Sequence, residues 1–394
     1  MARILGIEST CDETAAAVVQ DGTRVLSSVI ASQIELHARY RGVVPEIACR
    51  AHIEHILPVI HDAIAQAGLA SAAEIDAIAV AHRPGLIGCL LIGVTAAKTL
   101  AWALGKPLIA VDHVQAHLYS VMLHSAAESA GLAGAPIATP FYPTETAGAS
   151  PFVADRHRAV AASRPAAPES AKSAGSGTAP QFPAVGLAIS GGHTALYRLN
   201  SFADIHRLGS TIDDAIGEAY DKVSFILGLG YPGGPIIDKL AGQGDPAAIR
   251  FPRSTLSPTS LDFSFSGLKT SVLYHVRGFK GKERSASDLS AQQIADVAAG
   301  FQAACISVVL TKLKRAIAAV NARSVIIGGG VSANSGLRGA VGKLGVPCHF
   351  PNLRYCTDNA AMSAGLGYLK FQNRDFAPLD LDAVAHSLFA HGNA

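Results

Sequence analysis

The same run of elements opens this chain twice. Near the N-terminus, Arg3-Ile-Leu-Gly-Ile7 reads as a short buried strand, followed by the polar loop Glu8-Ser-Thr-Cys-Asp-Glu-Thr14 and a second strand from Ala15 to Gln20. Asp21-Gly22 is a strong hairpin signal, and Arg24 to Ile30 supplies a third strand. After residue 183 the pattern returns: strand Ala184–Ile189, polar loop Ser190-Gly-Gly-His-Thr194, strand Ala195–Asn200 and strand Ile205–Ser210. A repeated supersecondary unit predicts a duplicated architecture, two α/β lobes facing a cleft. With 394 residues the chain is long enough for both.

Behind the first repeat, hydrophobic spacing predicts a helix over Glu46–Gln66, a strand over Ile75–Ala81, a helix over Ile87–Leu104, a strand over Leu108–Val111 and a helix over Val114–Leu123. Alternation of this kind implies a largely parallel sheet with helices packed on it. Behind the second come a long helical segment at Ser290–Val320, strand Ser324–Ile327 and the Gly-rich turn Gly328–Asn334. A helix, a short strand at Pro347–Phe350 and a last helix from Thr357 complete it. From His124 to Pro183 the chain changes character: Ala, Pro, Ser, Gly and Thr dominate without a period, as expected of an insertion or flexible linker. The expected division is a first lobe at 1–123, an insertion at 124–183 and a second lobe at 184–394, with a C-terminal helix near 357–372 returning to the cleft and the first lobe.

Several classes are disfavoured by composition. The six cysteines are scattered with no Cys-x-x-Cys pair, against a disulfide framework or a Cys-rich zinc site. Met1 leads straight into a strand, so no secretory signal is expected, and the apolar stretch Pro84–Ala97 is shorter than the ~18 residues of a membrane span. These features predict a cytoplasmic protein. The net charge of +2 neither demands nor excludes a nucleic-acid partner. Local basicity does occur at Arg250, Arg253, Lys269, Arg277, Lys280, Lys282 and Arg284, and again at Lys312, Lys314 and Arg315. A solvated surface is the plain reading of such charges.

His113-Val-Gln-Ala-His117 carries the clearest chemistry. Histidines at i, i+4 share one helix face and can reach one metal ion, and the pair begins just after a strand, at the sheet edge where open α/β folds put ligands. Asp358 is a candidate third ligand, but Asp is also a good N-cap residue and spacing alone favours the cap. His52 and His55 lack a His-Glu-x-x-His pattern and read as ordinary helix residues.

The Ser190–Thr194 loop can turn backbone N–H groups towards an anion or simply close a hairpin. Gly328-Gly-Gly330, between strand and helix, suits a nucleotide contact at a helix N-terminus. Glu8, Asp12 and Glu13 form an acidic cluster in the first loop, read as lying at the mouth of the cleft. Asp213, Asp214, Glu218 and Asp221 lie at a helix start, where negative charge favours the dipole. Tyr231-Pro-Gly-Gly-Pro235 is read as a turn that permits close approach of a ligand.

These strings, with Val44-Pro-Glu46, Gly217-Glu-Ala-Tyr-Asp-Lys222, Asp262-Phe-Ser-Phe-Ser-Gly-Leu-Lys-Thr270, Gly329-Gly-Val-Ser-Ala-Asn334 and Thr357-Asp-Asn359, taken in this order, closely resemble the tRNA N6-adenosine threonylcarbamoyltransferase family, once labelled O-sialoglycoprotein endopeptidase. The resemblance runs from Arg3 to about Phe371, except His124–Pro183. It implies the two-lobed actin/Hsp70/sugar-kinase (ASKHA) fold, with duplicated RNase H-like lobes around a nucleotide cleft. It implies that His113, His117 and Asp358 bind a metal, in place of the cap reading of Asp358. It further implies that Ala188, Ile189, Ser190, Gly191, Gly192, Asp221, Gly234, Asp238 and Asn334 contact a threonylcarbamoyl-adenylate. Two departures stand out: Gln115 and Ala116 replace the family's usual Glu-Gly, and the insertion is long.

The implied reaction moves the threonylcarbamoyl group from L-threonylcarbamoyl-adenylate to N6 of adenosine 37 in tRNAs reading ANN codons, releasing AMP. Its implied cofactor is one divalent ion, Fe(II) favoured and Zn(II) also suited, with no organic cofactor beyond the adenylate. Asp12 or Glu13 is expected to orient or deprotonate the attacking amine, with His193 as a supporting donor. Expected partners are the tRNA anticodon loop, docked through the basic segments, a paralogous inactive subunit and a small P-loop ATPase, with no membrane. The rival readings are an ASKHA-fold kinase or ATPase, which needs no His-x-x-x-His pair, and a metalloprotease, for which the His-Glu-x-x-His base is missing.

Overall fold

A computed structural model describes residues 1–40, 42–125, 179–254, 256–278 and 285–387. The first sheet holds β1 (Arg3–Glu8), β2 (Glu13–Gln20), β3 (Arg24–Ser32), β4 (Ala77–Arg83), β5 (Leu108–Asp112) and β6 (His124–Ser125), in the order β5-β4-β1-β2-β3-β6. The second holds β7 (Ala184–Ile189), β8 (Thr194–Leu199), β9 (Ile205–Ser210), β10 (Ser324–Gly328) and β11 (Cys348–His349), in the order β11-β10-β7-β8-β9. In each sheet the three opening strands form an antiparallel meander. The fourth strand then pairs parallel with the first, and the fifth with the fourth. The repeat in the sequence is therefore a repeat of whole sheets, the duplicated α/β architecture expected.

Among the described residues the helices are α1 (Ile34–Ala38), α2 (Pro45–Gln66), α3 (Ile87–Leu104), α4 (His113–Tyr119), α5 (Ile216–Ile226), α6 (Gly233–Ala241), α7 (Ser266–Arg277), α8 (Ala291–Val320), α9 (Ser335–Val341) and α10 (Ala360–Gln372). Local chemistry sets several ends. Pro45 opens α2, Ser290 and Gln293 form a capping box on α8, and Gly105 ends α3 in the left-handed region at φ 62°. Helices α2 and α3 cover the outer face of the first sheet through Ile56, Val59, Leu90 and Val94. Phe263, Phe301, Val308 and Leu313 belong to the matching core on the second sheet.

Two helices lie between the sheets, and they cross over. Helix α4 follows the fifth strand of the first sheet but packs on β7 and β10, whereas α10 follows the fifth strand of the second sheet and packs on β1, β2 and β4. Their shared core joins Ile4 and Ala17 to Leu118, Ala188, Ile326, Ala360 and Leu366. Small residues make this approach possible: a Cβ at Gly6 would overlap the Ala360 carbonyl oxygen, and one at Gly328 the His117 carbonyl oxygen.

Several boundaries differ from the sequence expectation. The segment His124–Pro183 does not begin as linker, because His124 and Ser125 pair with Arg24 and Val25. Residues 126–178 of that expected insertion lie outside the described residues. Helix α3 runs past Ala97 to Leu104 and, by length and a mean hydropathy of 1.7, would pass for a membrane span; its buried face, Leu90 and Val94 included, packs on the first sheet. The last helix starts at Ala360, not Thr357, because Asn359 takes the cap. The Tyr231–Pro235 string is not only a turn, since Gly233 and Gly234 are the first residues of α6.

Candidate metal centre and cleft

The crossed helices bring their N-termini together. Asp112 caps α4, its Oδ1 accepting the N–H groups of Val114 and Gln115 at 3.0 and 3.1 Å, so His113 and His117 emerge on one face directly beyond β5. At the start of α10, the Asn359 side chain accepts the Met362 N–H at 3.1 Å. Asp358, one residue earlier, is therefore not the cap. Its Oδ1 lies 3.0 Å from His117 Nε2 and 3.6 Å from His113 Nε2.

One potential ligand atom from each of these three residues lies within 4.8 Å of the others, and both histidines are buried. Two imidazole nitrogens and a carboxylate converging on one point fit a divalent metal ion. The surroundings fit as well. Nδ1 of His113 lies 3.2 Å from Oε2 of the fully buried Glu8, and Ser363 donates to the same oxygen at 3.2 Å. A carboxylate on the far nitrogen fixes the ring so that Nε2 faces the ligand point. Burial opposes charge on His113, but Glu8 and Asp358 outweigh it and raise the imidazole to about 9. Burial likewise opposes ionisation of Asp358, yet His113 and His117 hold its carboxyl well below the usual range. Among the described residues, Nδ1 of His117 is buried without a hydrogen-bond partner.

The acidic cluster of the first loop separates into different environments. Glu8 sits at the end of β1 and points inward, not at the cleft mouth. Asp12 and Glu13 are half-buried, and Glu13 accepts the Ser32 hydroxyl at 3.2 Å. Burial, with Asp12 and Asp358 nearby, pushes the Glu13 carboxyl well above the carboxylate range. The His193 ring centre lies 6.2 Å from that of His113. Burial, with His113 and His117 beside it, lowers His193 to about 4, leaving it a neutral imidazole at neutral pH.

Across the cleft, Ala188 and Ile189 end β7, and Ser190–His193 turn into β8 with the Ser190 N–H donating to the His193 carbonyl at 2.8 Å. The loop is thus a hairpin, yet Gly191 and Gly192 face open space. Asp221 accepts the Gly233 N–H at 2.7 Å, tying α5 to the start of α6, and a Cβ on Gly234 would meet nothing within 4 Å. Burial raises Asp221 to about 6, with Asp12 adding to the shift. Asp238 accepts from the Ser335 N–H and hydroxyl at 2.9 and 3.0 Å, while Asn334 caps α9 through the Leu337 N–H at 2.8 Å.

One residue of this side went unread in the sequence. Gln302, in the middle of α8, donates to Asp238 at 3.0 Å and accepts from Asn334 at 2.8 Å and from the Tyr220 hydroxyl at 3.3 Å. A glutamine deep in a long amphipathic helix carries no spacing signal. Glu8 was visible as an acid, but nothing in its spacing showed that it faces His113.

The basic segments are only partly available. Lys269 pairs with Asp214 at 2.6 Å, and Lys312 is buried and donates to the Ser260 carbonyl at 2.8 Å. Lys280, Lys282 and Arg284 lie outside the described residues, whereas Arg250, Arg253 and Lys314 are exposed.

The sequence model of the family described as tRNA N6-adenosine threonylcarbamoyltransferase matches residues 24–134 and 169–365. A protein of that name from Moorella thermoacetica is 46% identical over 388 residues, covering 97% of this chain and 95% of its own length. Another from Treponema denticola is 42% identical over 386 residues, covering 97% and 96%. Among solved structures, full-length HypF in its phosphate- and nucleotide-bound form matches at TM-score 0.51 and 12% identity, over 98% of this chain and 47% of that one, a likeness of fold alone.

Proposed function

From the membership of this chain in the tRNA N6-adenosine threonylcarbamoyltransferase family, we propose that its cleft transfers the threonylcarbamoyl group of L-threonylcarbamoyl-adenylate to N6 of adenosine 37 in tRNAs reading ANN codons. The protein is an acyltransferase of t6A biosynthesis with tRNA as substrate. The observation that carries the reading to this cleft is the convergence of His113, His117 and Asp358 within 4.8 Å.

The adenylate is already activated, so positioning and charge stabilisation are the protein's tasks. The N6 amine attacks the carbamoyl carbon, an N–C bond forms, the C–O bond to the phosphate breaks, and AMP leaves. The amine must also lose a proton. Burial, with Asp12 and Asp358 nearby, pushes the Glu13 carboxyl above the carboxylate range, so we give the role of acceptor to Asp12, with neutral His193 as an N–H donor. Ala188, Ile189, Ser190, Gly191 and Gly192 hold the adenylate with Asp221, Gly234, Asp238 and Asn334; the open glycines let backbone N–H groups approach phosphate oxygens. His113, His117 and Asp358 would hold a divalent ion, Fe(II) first and Zn(II) second, which would supply Lewis acidity toward anhydride or phosphate oxygens.

The tRNA lies across the cleft in the cytoplasm, with Arg250, Arg253 and Lys314 as phosphate contacts. A paralogous inactive subunit and a small P-loop ATPase complete the system. The test supplies labelled threonine, bicarbonate, ATP, an adenylate-forming enzyme and unmodified tRNA, with these partners. Label reaching tRNA with the wild type and lost with His113→Ala and His117→Ala is the expected result. Undiminished transfer by both variants would overturn the reading.

A further inference from the structure

The last described segment of the chain does not trail into solvent. Beyond α10 it forms a bridge from Ala377 to Leu108 on the edge strand β5, with the Ala377 N–H donating to the Leu108 carbonyl at 2.8 Å. It then receives Lys98 Nζ on the Leu381 carbonyl at 3.0 Å, and donates from the Val384 N–H to the His82 carbonyl at 2.9 Å. Ala383 is buried in the core beneath α2 and α3. At its end the Ser387 hydroxyl donates to Asp112 Oδ2 at 3.0 Å. This whole run lies beyond residue 365, where the match to the family model stops.

Asp112 holds the first turn of the helix that carries the two histidines. Helix α4 spans only His113–Tyr119, and two turns of helix are marginal without tertiary support. Its first turn is held by one carboxylate, with Oδ1 shared between the Val114 and Gln115 N–H groups. A carboxylate gripped by one oxygen still rotates about its side-chain torsions. The second oxygen stops that rotation, and it faces Ser387 and, at 3.4 Å, Arg83 Nε. Asp112 is 4% exposed, so water offers little replacement.

We propose that residues 376–387 form a strap that positions the metal helix: Ser387 orients Asp112, and Asp112 sets the direction of His113 and His117. The strap ties both to β4 and to the edge strand β5, directly after which α4 begins. Ser387 is a positioning residue and touches no ligand atom. The proposal rests on the metal reading given above.

The test uses the full chain, metal-free, with Co(II) as the probe. Ser387→Ala should weaken Co(II) binding by roughly 5-fold, less than the 10–100-fold common for groups bonded directly to a ligand. Amide exchange at Val114 and Gln115 in the metal-free protein should accelerate by a similar factor. Ser387→Thr, which keeps the hydroxyl, should restore both. A melting temperature close to wild type would separate these effects from general loosening. Unchanged Co(II) affinity and unchanged exchange in Ser387→Ala overturn the strap alone. If the wild type takes up no Co(II) that depends on His113, the metal reading falls and the proposal falls with it.

Discussion

Asp358 Oδ1 stands 3.0 Å from His117 Nε2, across 241 residues of sequence, and the next residue, Asn359, holds the helix cap at 3.1 Å. Two neighbouring residues thus divide two tasks, so mutation should separate them. Asp358→Ala should lower metal affinity by more than about 100-fold. Asn359→Ala should lower unfolding stability by about 1 kcal/mol while metal stoichiometry is kept. Metal analysis and thermal unfolding of both variants check this; full metal occupancy in Asp358→Ala would remove it from the ligand set.

Metal uptake should also compete with a proton on His113. Burial works against its charge, Glu8 and Asp358 outweigh burial, and the imidazole is raised to about 9 in the metal-free protein. A folded pKa above the unfolded value of about 6.5 contributes stability that is present below pH 6.5 and lost as pH rises through about 9. Because the metal needs the neutral ring, apparent affinity should rise about tenfold per pH unit over that same window and then level off. In Glu8→Gln the levelling should move to lower pH. Co(II) titrations from pH 6.5 to 9.5 measure it, and a flat profile in the wild type would show that His113 carries no competing proton.

The duplicated sheets were legible because alternating apolar strands and hairpin signals such as Asp21-Gly22 are local chemistry, and local chemistry repeats when a fold does. The packing of α4 on the second sheet was not. Which sheet a helix packs on depends on close approaches such as Gly6 to Ala360 and Gly328 to His117, between residues far apart in sequence. Asp358 shows the same limit at one position. Asp and Asn cap helices about equally well, so spacing could not say which of 358 and 359 would do it. The basic segments misled for a related reason: Lys312 lies on the inner face of α8, and beside Lys314 and Arg315 it looks like any surface charge.

Gln302 should matter for binding more than for the chemical step. It is 7% exposed and joins Asp238, Asn334 and Tyr220, so removing its amide leaves buried polar groups unpaired, at about 1–3 kcal/mol of stability. With Asp238 and Asn334 each short of one partner and held, among the described residues, only by Ser335 and Leu337, KM for the adenylate should rise roughly tenfold in Gln302→Ala, with kcat changed less than about threefold. Gln302→Glu offers a sharper comparison, because its carboxylate would face that of Asp238 where the amide now donates. A large fall in kcat at unchanged KM would argue against a binding role.

Gly328 gives a test of the crossed arrangement itself, at a residue with no metal-ligating group. It ends β10 beneath α4, and a Cβ there would overlap the backbone carbonyl of His117, which cannot swing aside as a side-chain tip could. The helix must move, so Gly328→Ala should destabilise the fold by about 1–3 kcal/mol. It should weaken metal binding as well, since any shift of the His117 backbone carries Nε2 away from Asp358. Gly339, exposed within α9 and with nothing within 4 Å of its added Cβ, is the matched control. The same substitution there should stabilise by up to about 1 kcal/mol through helix propensity and leave metal affinity alone. Opposite signs at the two glycines in thermal unfolding, with metal loss confined to position 328, would tie the metal centre to the seat of α4 on the second sheet. A Gly328→Ala protein that binds metal like the wild type would show that α4 is held in place by its own first turn and the strap, without that seat.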